Sequence, residues 1–447
     1  MNKKETSLRL YLLQPLQRFL NSELLSSQLL LIATAVALIW ANSSYAASYF
    51  ALWETELSFQ IGNFILSDTL GHWINDGLMV IFFFVVGLEI KREFMVGELS
   101  SFKKASLPML AALGGMVVPA IIYTFFNAGT DSMSGWGIPM ATDIAFALGV
   151  LMLLGNRIPL PLKVFLLALA IVDDLGAILV IALFYTEQIN LTSLLIALII
   201  LGVSVFLNYI GVRKTFPYAL LGIFLWVAFL QSGVHATIAG VLMAFTIPSR
   251  AQLGAEEFKE ATLNLVERFP EREINIMCTD KEQKETLYEL KYIINNINTP
   301  LQRLEDALHP IASYFIIPVF ALANAGVPFI GNAVINFLNP ITLGIILGLV
   351  LGKQIGITLF SWLGVKVGIA HLPTGISFKH IYGISCLGGI GFTMSLFITN
   401  LAFANPVYIE AAKIGILAAS LISAVIGTTF LMLTTDNKKN KTNCSFE

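Results

Sequence analysis

Long apolar runs alternate with short polar ones along most of the chain. The runs fall near 28–45, 72–94, 105–127, 135–154, 160–186, 192–210, 215–232, 234–248, 308–330, 341–365, 379–403 and 409–433. Most reach the ~20 residues that a helix needs to cross ~30 Å of hydrocarbon. The pattern predicts an all-α polytopic membrane protein with twelve transmembrane helices, Ser232-Gly233 being the turn that divides 215–248 into two. Two spans are interrupted. Gly135, Gly137 and Pro139 fall in the first half of span 4, and Gly388, Gly389 and Gly391 lie in the middle of span 11. Interruption frees backbone groups and leaves partial charges at the helix ends.

Outside the spans, two stretches have a local pattern. Trp53, Thr55, Leu57, Phe59 and Ile61 alternate with Glu54, Glu56, Ser58 and Gln60. That period of two predicts a strand on the outer side, with an edge able to pair with a second protomer. Residues 249–308 read as helical pieces over 254–268, 281–296 and 300–308. Thr299 is the N-cap there, with Pro300 at the first helical position.

Composition sharpens the class. Of 447 residues, 56% are hydrophobic and 13% charged, against about 25% charged in soluble domains. A soluble enzyme and a disordered chain are both excluded, and a net charge of −2 offers nucleic acid no basic field. Cys278, Cys386 and Cys444 form neither a metal motif nor a disulfide framework.

Charge also sets the topology. Residues 249–308 hold 8 basic and 12 acidic residues. Alternating the loops through twelve spans puts 25 of the 27 basic residues on one side, leaving only Lys353 and Lys413. By the positive-inside rule that side is the cytoplasm. The expected layout is a cytoplasmic N-terminus over 1–27 and spans 1–8 over 28–248, with an outer loop at 46–70. A charged cytoplasmic segment follows over 249–307, then spans 9–12 over 308–433 and a cytoplasmic tail over 434–447. Ser44-Tyr45-Ala46 after span 1 mimics a cleavage site. The long stretch before that span and the eleven spans after it argue against a signal peptide.

Few ionisable residues remain inside spans, where a charge costs roughly 2.5–3.5 kcal/mol on insertion scales, so these are the functional candidates. They are Asp76 and Glu89 in span 2, Asp143 in span 4, Asp173 and Asp174 in span 5, and Lys353 in span 10. Asp173 and Asp174 are adjacent, so they repel, and in a helix they point about 100° apart. One is placed to pair with a cation while the other faces a cavity. Lys353 lies too deep in its run for easy snorkelling. Asp and Thr oxygens suit a small hard cation, and transition-metal ligands are missing from mid-span. A carboxylate that holds either a proton or a cation is an exchanger in outline. Glu89, Lys91, Arg92 and Glu93 form a second cluster at the cytoplasmic end of span 2. His235, Glu305, Asp306 and His309 are candidates to join it, and histidine titrates near neutral pH.

Seven motifs carry a resemblance: GLEIKRE (87–93), MATDIAFALG (140–149), IVDDLGAI (171–178), SGVHATIAG (232–240), LHPIASYFIIPVFALANAGV (308–327), LGKQIGI (351–357) and GGIGFTMS (388–395). In this order they resemble the NhaA sodium/proton antiporters over roughly 15–248 and 300–433. Paired interrupted spans point to an inverted-repeat transporter, a rule for which that family is itself a standing example.

The resemblance implies an inverted-repeat antiporter fold in which broken spans 4 and 11 cross, and a small outer β-hairpin over 46–70 that joins a homodimer. It implies electrogenic, pH-regulated exchange of Na+, and Li+, for protons across a cell inner membrane, with no cofactor. By residue match, Asp173 and Asp174 hold the Na+ or the protons, Asp174 as the principal ligand, and Asp173 pairs with Lys353 when sodium is absent. Thr142 and Asp143 contribute at the site, Asp143 and Lys353 compensate the broken helix ends, and Asp173 or Lys353 carries the second proton. Glu89, Arg92, Glu93, His235 and Glu305 match the pH-response region. Two departures fall there: a longer segment before span 9, and Asp306 where some members carry His.

Other classes fit less well. A sodium-coupled symporter of an organic solute calls for a larger polar cavity. An aspartyl intramembrane protease needs Gly-x-Gly-Asp, but Gly391 is followed by Phe392. A membrane prenyltransferase needs Asp-Asp-x-x-Asp, but Asp174 is followed by Leu175, Gly176 and Ala177. A channel would show a repeated filter motif and has no use for a buried lysine.

Overall fold

The computed structural model describes residues 24–62, 64–186, 189–251, 254–269, 281–328 and 339–436. The basic N-terminal residues, the tail lysines, Cys278 and Cys444 lie outside them. Among the described residues, eight helices are long and apolar enough to cross a membrane, and two bent pairs bring the number to ten. The long ones are α1 (Leu24–Ala41), α3 (Leu70–Val96), α4 (Phe102–Asn127), α6 (Leu160–Phe184), α7 (Leu191–Tyr209), α12 (Pro300–Asn324), α13 (Pro340–Lys366) and α16, which runs Pro406–Asp436. The bent pairs are a 3₁₀ segment, Asp131–Met140, with α5 (Ile144–Leu153), bent 42°, and α14 (Phe378–Leu387) with α15 (Phe392–Ala402), bent 51°. The remaining helices are α2 (Ala46–Trp53), α10 (Ala255–Glu267), α11 (Lys281–Ile297) and two short apolar ones, α8 (Thr215–Leu230) and α9 (Thr237–Thr246).

The chain packs as two compact units. One comprises 1–82, 89–188 and 310–447, the other 83–88 and 189–309. In the first, α4 and α13 are held together by glycine. A Cβ on Gly114 would lie 2.2 Å from the Gly356 carbonyl oxygen, and one on Gly356 2.1 Å from that of Gly114. Gly348 and Gly352 continue the row, where added Cβ atoms would lie 2.8 Å from Pro139 and from Pro119. Small residues four apart let helix backbones touch, which is how membrane helices gain dispersion energy where lipid supplies no hydrophobic drive. Lys353 lies within this row, between Gly352 and Gly356.

The hairpin is antiparallel, β1 (Glu56–Ile61) against β2 (Phe64–Thr69), with Glu56 facing Thr69 and Ile61 facing Phe64. Gly62 takes φ +62° at the tight turn, a left-handed value that glycine adopts freely. The strand starts at Glu56, three residues later than the alternation from Trp53 predicts. Tertiary packing wins there: Ala46–Trp53 folds as α2, and Tyr49, 1% exposed, sets its ring edge-on to Trp40, Phe50 and Trp53. The Tyr49 hydroxyl donates to the Leu322 carbonyl at 2.8 Å and accepts from the Gly326 N–H at 3.1 Å. This ties α2 to the end of α12.

In the second unit the Ser232-Gly233 turn forms, with Gly233 at φ +78° and the Ser232 carbonyl accepting from the Asn190 N–H. Gly87 packs on α9, where a Cβ would lie 2.8 Å from that of Ala244. The Thr299 cap also forms: its hydroxyl accepts from the Gln302 N–H at 3.1 Å, and its own N–H donates to the Gln302 side chain at 3.3 Å.

Candidate functional site

The site lies where the two bent pairs meet. Span 4 breaks at 141–143, just beyond the glycines and Pro139, which wind as a 3₁₀ helix instead of opening the chain. Span 11 breaks between Leu387 and Phe392, where the glycines predict it. The breaks are stitched together. The Asp143 N–H donates to the Ile390 carbonyl at 2.7 Å, and the Thr142 hydroxyl to the Gly388 carbonyl at 2.9 Å. Asp143 then caps two helices. Its Oδ1 accepts from the Phe146 N–H at 2.9 Å, in the first turn of α5. Its Oδ2 accepts from the Thr393 N–H at 3.0 Å, in the first turn of α15, and also from the Thr393 hydroxyl. One carboxylate thus satisfies donors at two helix N-termini, where negative charge is favoured.

Asp173 and Asp174 sit midway along α6, 2% and 1% exposed. Lys353 reaches Asp173 from α13, its Nζ donating to Asp173 Oδ2 at 2.6 Å. Lys353 starts a regular helix immediately after a π-helical turn, Gly348–Gly352, and Gly115 leaves room for its stem. The other oxygen of Asp173, and Oδ1 of Asp174, are buried with no hydrogen-bond partner. Buried carboxylate oxygens without donors are costly, and a positive ion is the ligand that relieves them. Asp173, Asp174 and Lys353 are thus buried together, and Asp143 lies within electrostatic reach of Asp174. Hard oxygen donors of this kind suit an alkali cation or a proton.

The remaining candidates have partners of their own. Arg92 reaches Glu93 at 3.3 Å and Glu89 at 3.9 Å, and Glu93 Oε2 accepts from the Glu98 N–H at 3.0 Å. His235 faces the Thr237 hydroxyl at 3.2 Å, at the start of α9. Glu305 is buried on α12, one turn beyond Leu301, whose N–H donates to Pro248 just past the end of α9. His235 thus stands just before the start of α9, and Leu301 is bonded just past its end. Asp76 is no lone intramembrane charge: it pairs with His72 at 3.0 Å, and Asp68 of β2 flanks the same ring at 3.4 Å. Thr393 escaped the sequence reading. Its signal was a hydroxyl directly after a glycine break.

Apolar spans surrounding ionisable groups held at the breaks of interrupted helices define the class: a polytopic helical membrane protein with the build of an ion-coupled transporter. The family model described as Na+/H+ antiporter 1 matches residues 17–431. The chain belongs to that family. It is 52% identical over 419 residues to the Na(+)/H(+) antiporter NhaA of Oleidesulfovibrio alaskensis, covering 93% of each chain. It is 51% identical to the NhaA of Koribacter versatilis, covering 94% of this chain and 91% of that one. The NhaA of Helicobacter pylori strain G27 is 48% identical, over 97% and 98%.

Proposed function

We propose that the protein is a Na+/H+ antiporter that expels Na+, and Li+, in exchange for external protons. One observation carries the reading: the Lys353–Asp173 pair beside Asp174, with unpartnered oxygens on both aspartates, at the meeting of two helix breaks. Asp174 is the principal cation ligand. Asp173 is held by Lys353 until sodium arrives and displaces the ammonium. Thr142 and Asp143 keep the breaks aligned. Because cation and proton compete for the same carboxylates, exchange needs no separate coupling device. Inward-facing, the deprotonated pair takes sodium; the repeats rock, protons displace sodium outside, and the protonated site returns. More than one proton enters per sodium, so the membrane potential helps drive the cycle.

The finer architecture belongs to the same proposal. Short α8 and α9 each count as a span, giving twelve spans in an inverted repeat with the two bent pairs crossing. Both termini face the cytoplasm of a cell inner membrane, as the basic loops favour. The hairpin joins a homodimer. Glu89, Arg92 and Glu93, with Glu305, tune the response to internal pH, and His235 acts at the other face.

The test uses everted vesicles from a host without its own antiporters, with a pH-sensitive dye. Sodium and lithium, but not potassium, are expected to collapse the proton gradient, and Asp174→Asn to abolish the response. Near-normal exchange by that variant would remove the site assignment.

A further inference from the structure

Three side-chain amides form a continuous chain inside the apolar spans. Asn324 donates to Asn75 Oδ1 at 2.8 Å and accepts from Asn400 Nδ2 at 2.7 Å. It also donates to its own helix at the Phe320 carbonyl, 3.0 Å away. The three residues come from three helices: Asn75 from α3, Asn324 from the end of α12, Asn400 from the second half of the broken span 11. Asn324 is 5% exposed, and the other two are half-buried. Side-chain amides among apolar spans are expensive unless paired, and they hydrogen-bond across helices.

Their place on the molecule is common. Asn75 lies six residues past Thr69, the last residue of the hairpin. Asn324 ends the helix whose following turn is bonded to Tyr49 of α2. Asn400 lies two residues before the end of α15. All three therefore stand at the hairpin end of their helices. Asn400 is also aligned with the ion site. It follows Thr393, the partner of Asp143, by seven residues, which is two helical turns, so both lie on one face of α15. Between them on that face stand Leu396 and Phe397, and Phe397 packs edge-on against Phe320, so an apolar layer lies between the helix breaks and the amide chain. Asn75 sits within a π-helical stretch, Trp73–Leu78, a winding found mostly at functional positions.

We infer that Asn75, Asn324 and Asn400 are the outer gate of the ion path, a hydrogen-bonded amide latch that must part each time the site opens outward. This rests on the antiport reading. In the state described here the latch is closed, and two neutral hydrogen bonds suit a latch because they form and break without moving charge. As the ion leaves, the freed carbonyl oxygens of the three amides face it in turn and replace its water.

The experiment bridges the latch. Asn75→Cys and Asn324→Cys are introduced together after the chain's own cysteines are replaced. A two-carbon bis-methanethiosulfonate, cleavable by dithiothreitol, joins them; a direct disulfide demands a closer approach than end-to-end amides provide. Sodium-dependent proton movement is read in the same vesicles before bridging, after it, and after release. Loss on bridging with recovery on release is expected. Continued exchange in the bridged protein overturns the gate, since the amides then move as one body and only hold helices together. Absence of sodium-driven proton movement in both the wild-type chain and the unbridged variant overturns the antiport reading, and the gate with it. A second variant covers poor folding of the pair. Asn400→Cys is labelled from outside with an impermeant maleimide, with and without Asn324→Ala. Severalfold faster labelling without the Asn324 amide is expected, and an unchanged rate overturns the proposal.

Discussion

The Lys353–Asp173 pair allows a quantitative test. At 2.6 Å between Nζ and Oδ2, the Coulomb attraction at an effective dielectric of about 20 is about 6 kcal/mol. Removing two ions from water costs several kcal/mol each, so the intact pair gains little over neutral side chains of the same shape. Breaking one side is different, because the surviving charge stays buried without its partner, at a cost of roughly 3–5 kcal/mol. Both side chains are almost fully enclosed, at 1% and 2% exposure, so solvent cannot soften that cost. Lys353→Met and Asp173→Asn should therefore each lose about 3–5 kcal/mol of folding stability, while the double variant loses under about 2 kcal/mol. The assay is equilibrium unfolding of purified protein in dodecyl maltoside titrated with sodium-free dodecyl sulfate, with choline as the only other salt cation. A buried pair is poorly screened, so the coupling should persist from low to high choline chloride. Losses that simply add in the double variant would refute the reasoning, since they would mean that lysine and aspartate do not meet in the folded protein.

Four further outcomes follow from the packing. Gly356→Ala puts a methyl 2.1 Å from the Gly114 carbonyl, so overpacking should cost about 1–3 kcal/mol and exchange should fall with it. Gly202→Ala meets nothing within 4 Å, so in the same unfolding assay it should be neutral or stabilising by up to about 1 kcal/mol. Thr393→Val removes the hydroxyl bond to Asp143 but keeps the N–H bond at 3.0 Å. A lost hydrogen bond to a charged group is worth about 1.5–3 kcal/mol, so the sodium concentration for half-maximal exchange should rise about tenfold or more, with Thr393→Ser restoring it. Burial pushes the Tyr49 hydroxyl up to about 12, against the opposing Gly326 N–H bond. The folded state then resists ionisation while the unfolded chain ionises near 10.0, so stability from Tyr49 is present below that pH and is lost as pH rises towards about 12. Tyr49→Phe should lower stability at neutral pH and flatten the loss between those limits.

How much of this was legible in the sequence depends on the length scale of the signal. Apolar runs of twenty residues carry their own evidence, so the long helices fall where hydropathy puts them. The ionisable residues stood out for the same reason, each being an expensive exception inside such a run. Patterns of a few residues fared worse. The alternation from Trp53 is real, but three of its residues belong to α2 and its junction, because Tyr49 finds a buried partner across 273 residues of chain. Gly135, Gly137 and Pro139 look like a break and instead wind as a 3₁₀ helix, against which Tyr185 donates to the Ser134 carbonyl at 2.7 Å and accepts from the Gly137 N–H at 3.3 Å.

What sequence periodicity hides altogether is the winding of the helices, and here the winding does the positioning. Gly348–Gly352 and Trp73–Leu78 are π-helical stretches inside otherwise regular spans. A π turn inserts one extra residue, which rotates everything after it by about 100° relative to a regular helix. Counted regularly from Gly348, Lys353 would face about 100° from the direction it takes. The turn lets one helix present its glycine row to α4 and, one residue past the end of that turn, its ammonium to Asp173. The rigid glycine contact fixes α13, and the loose winding aims the side chain. A substitution that regularised the turn could leave every contact residue in place and still part the ion pair. The stability cycle on Lys353 and Asp173 reads that separation directly: the coupling between them would vanish while the glycine row stayed packed.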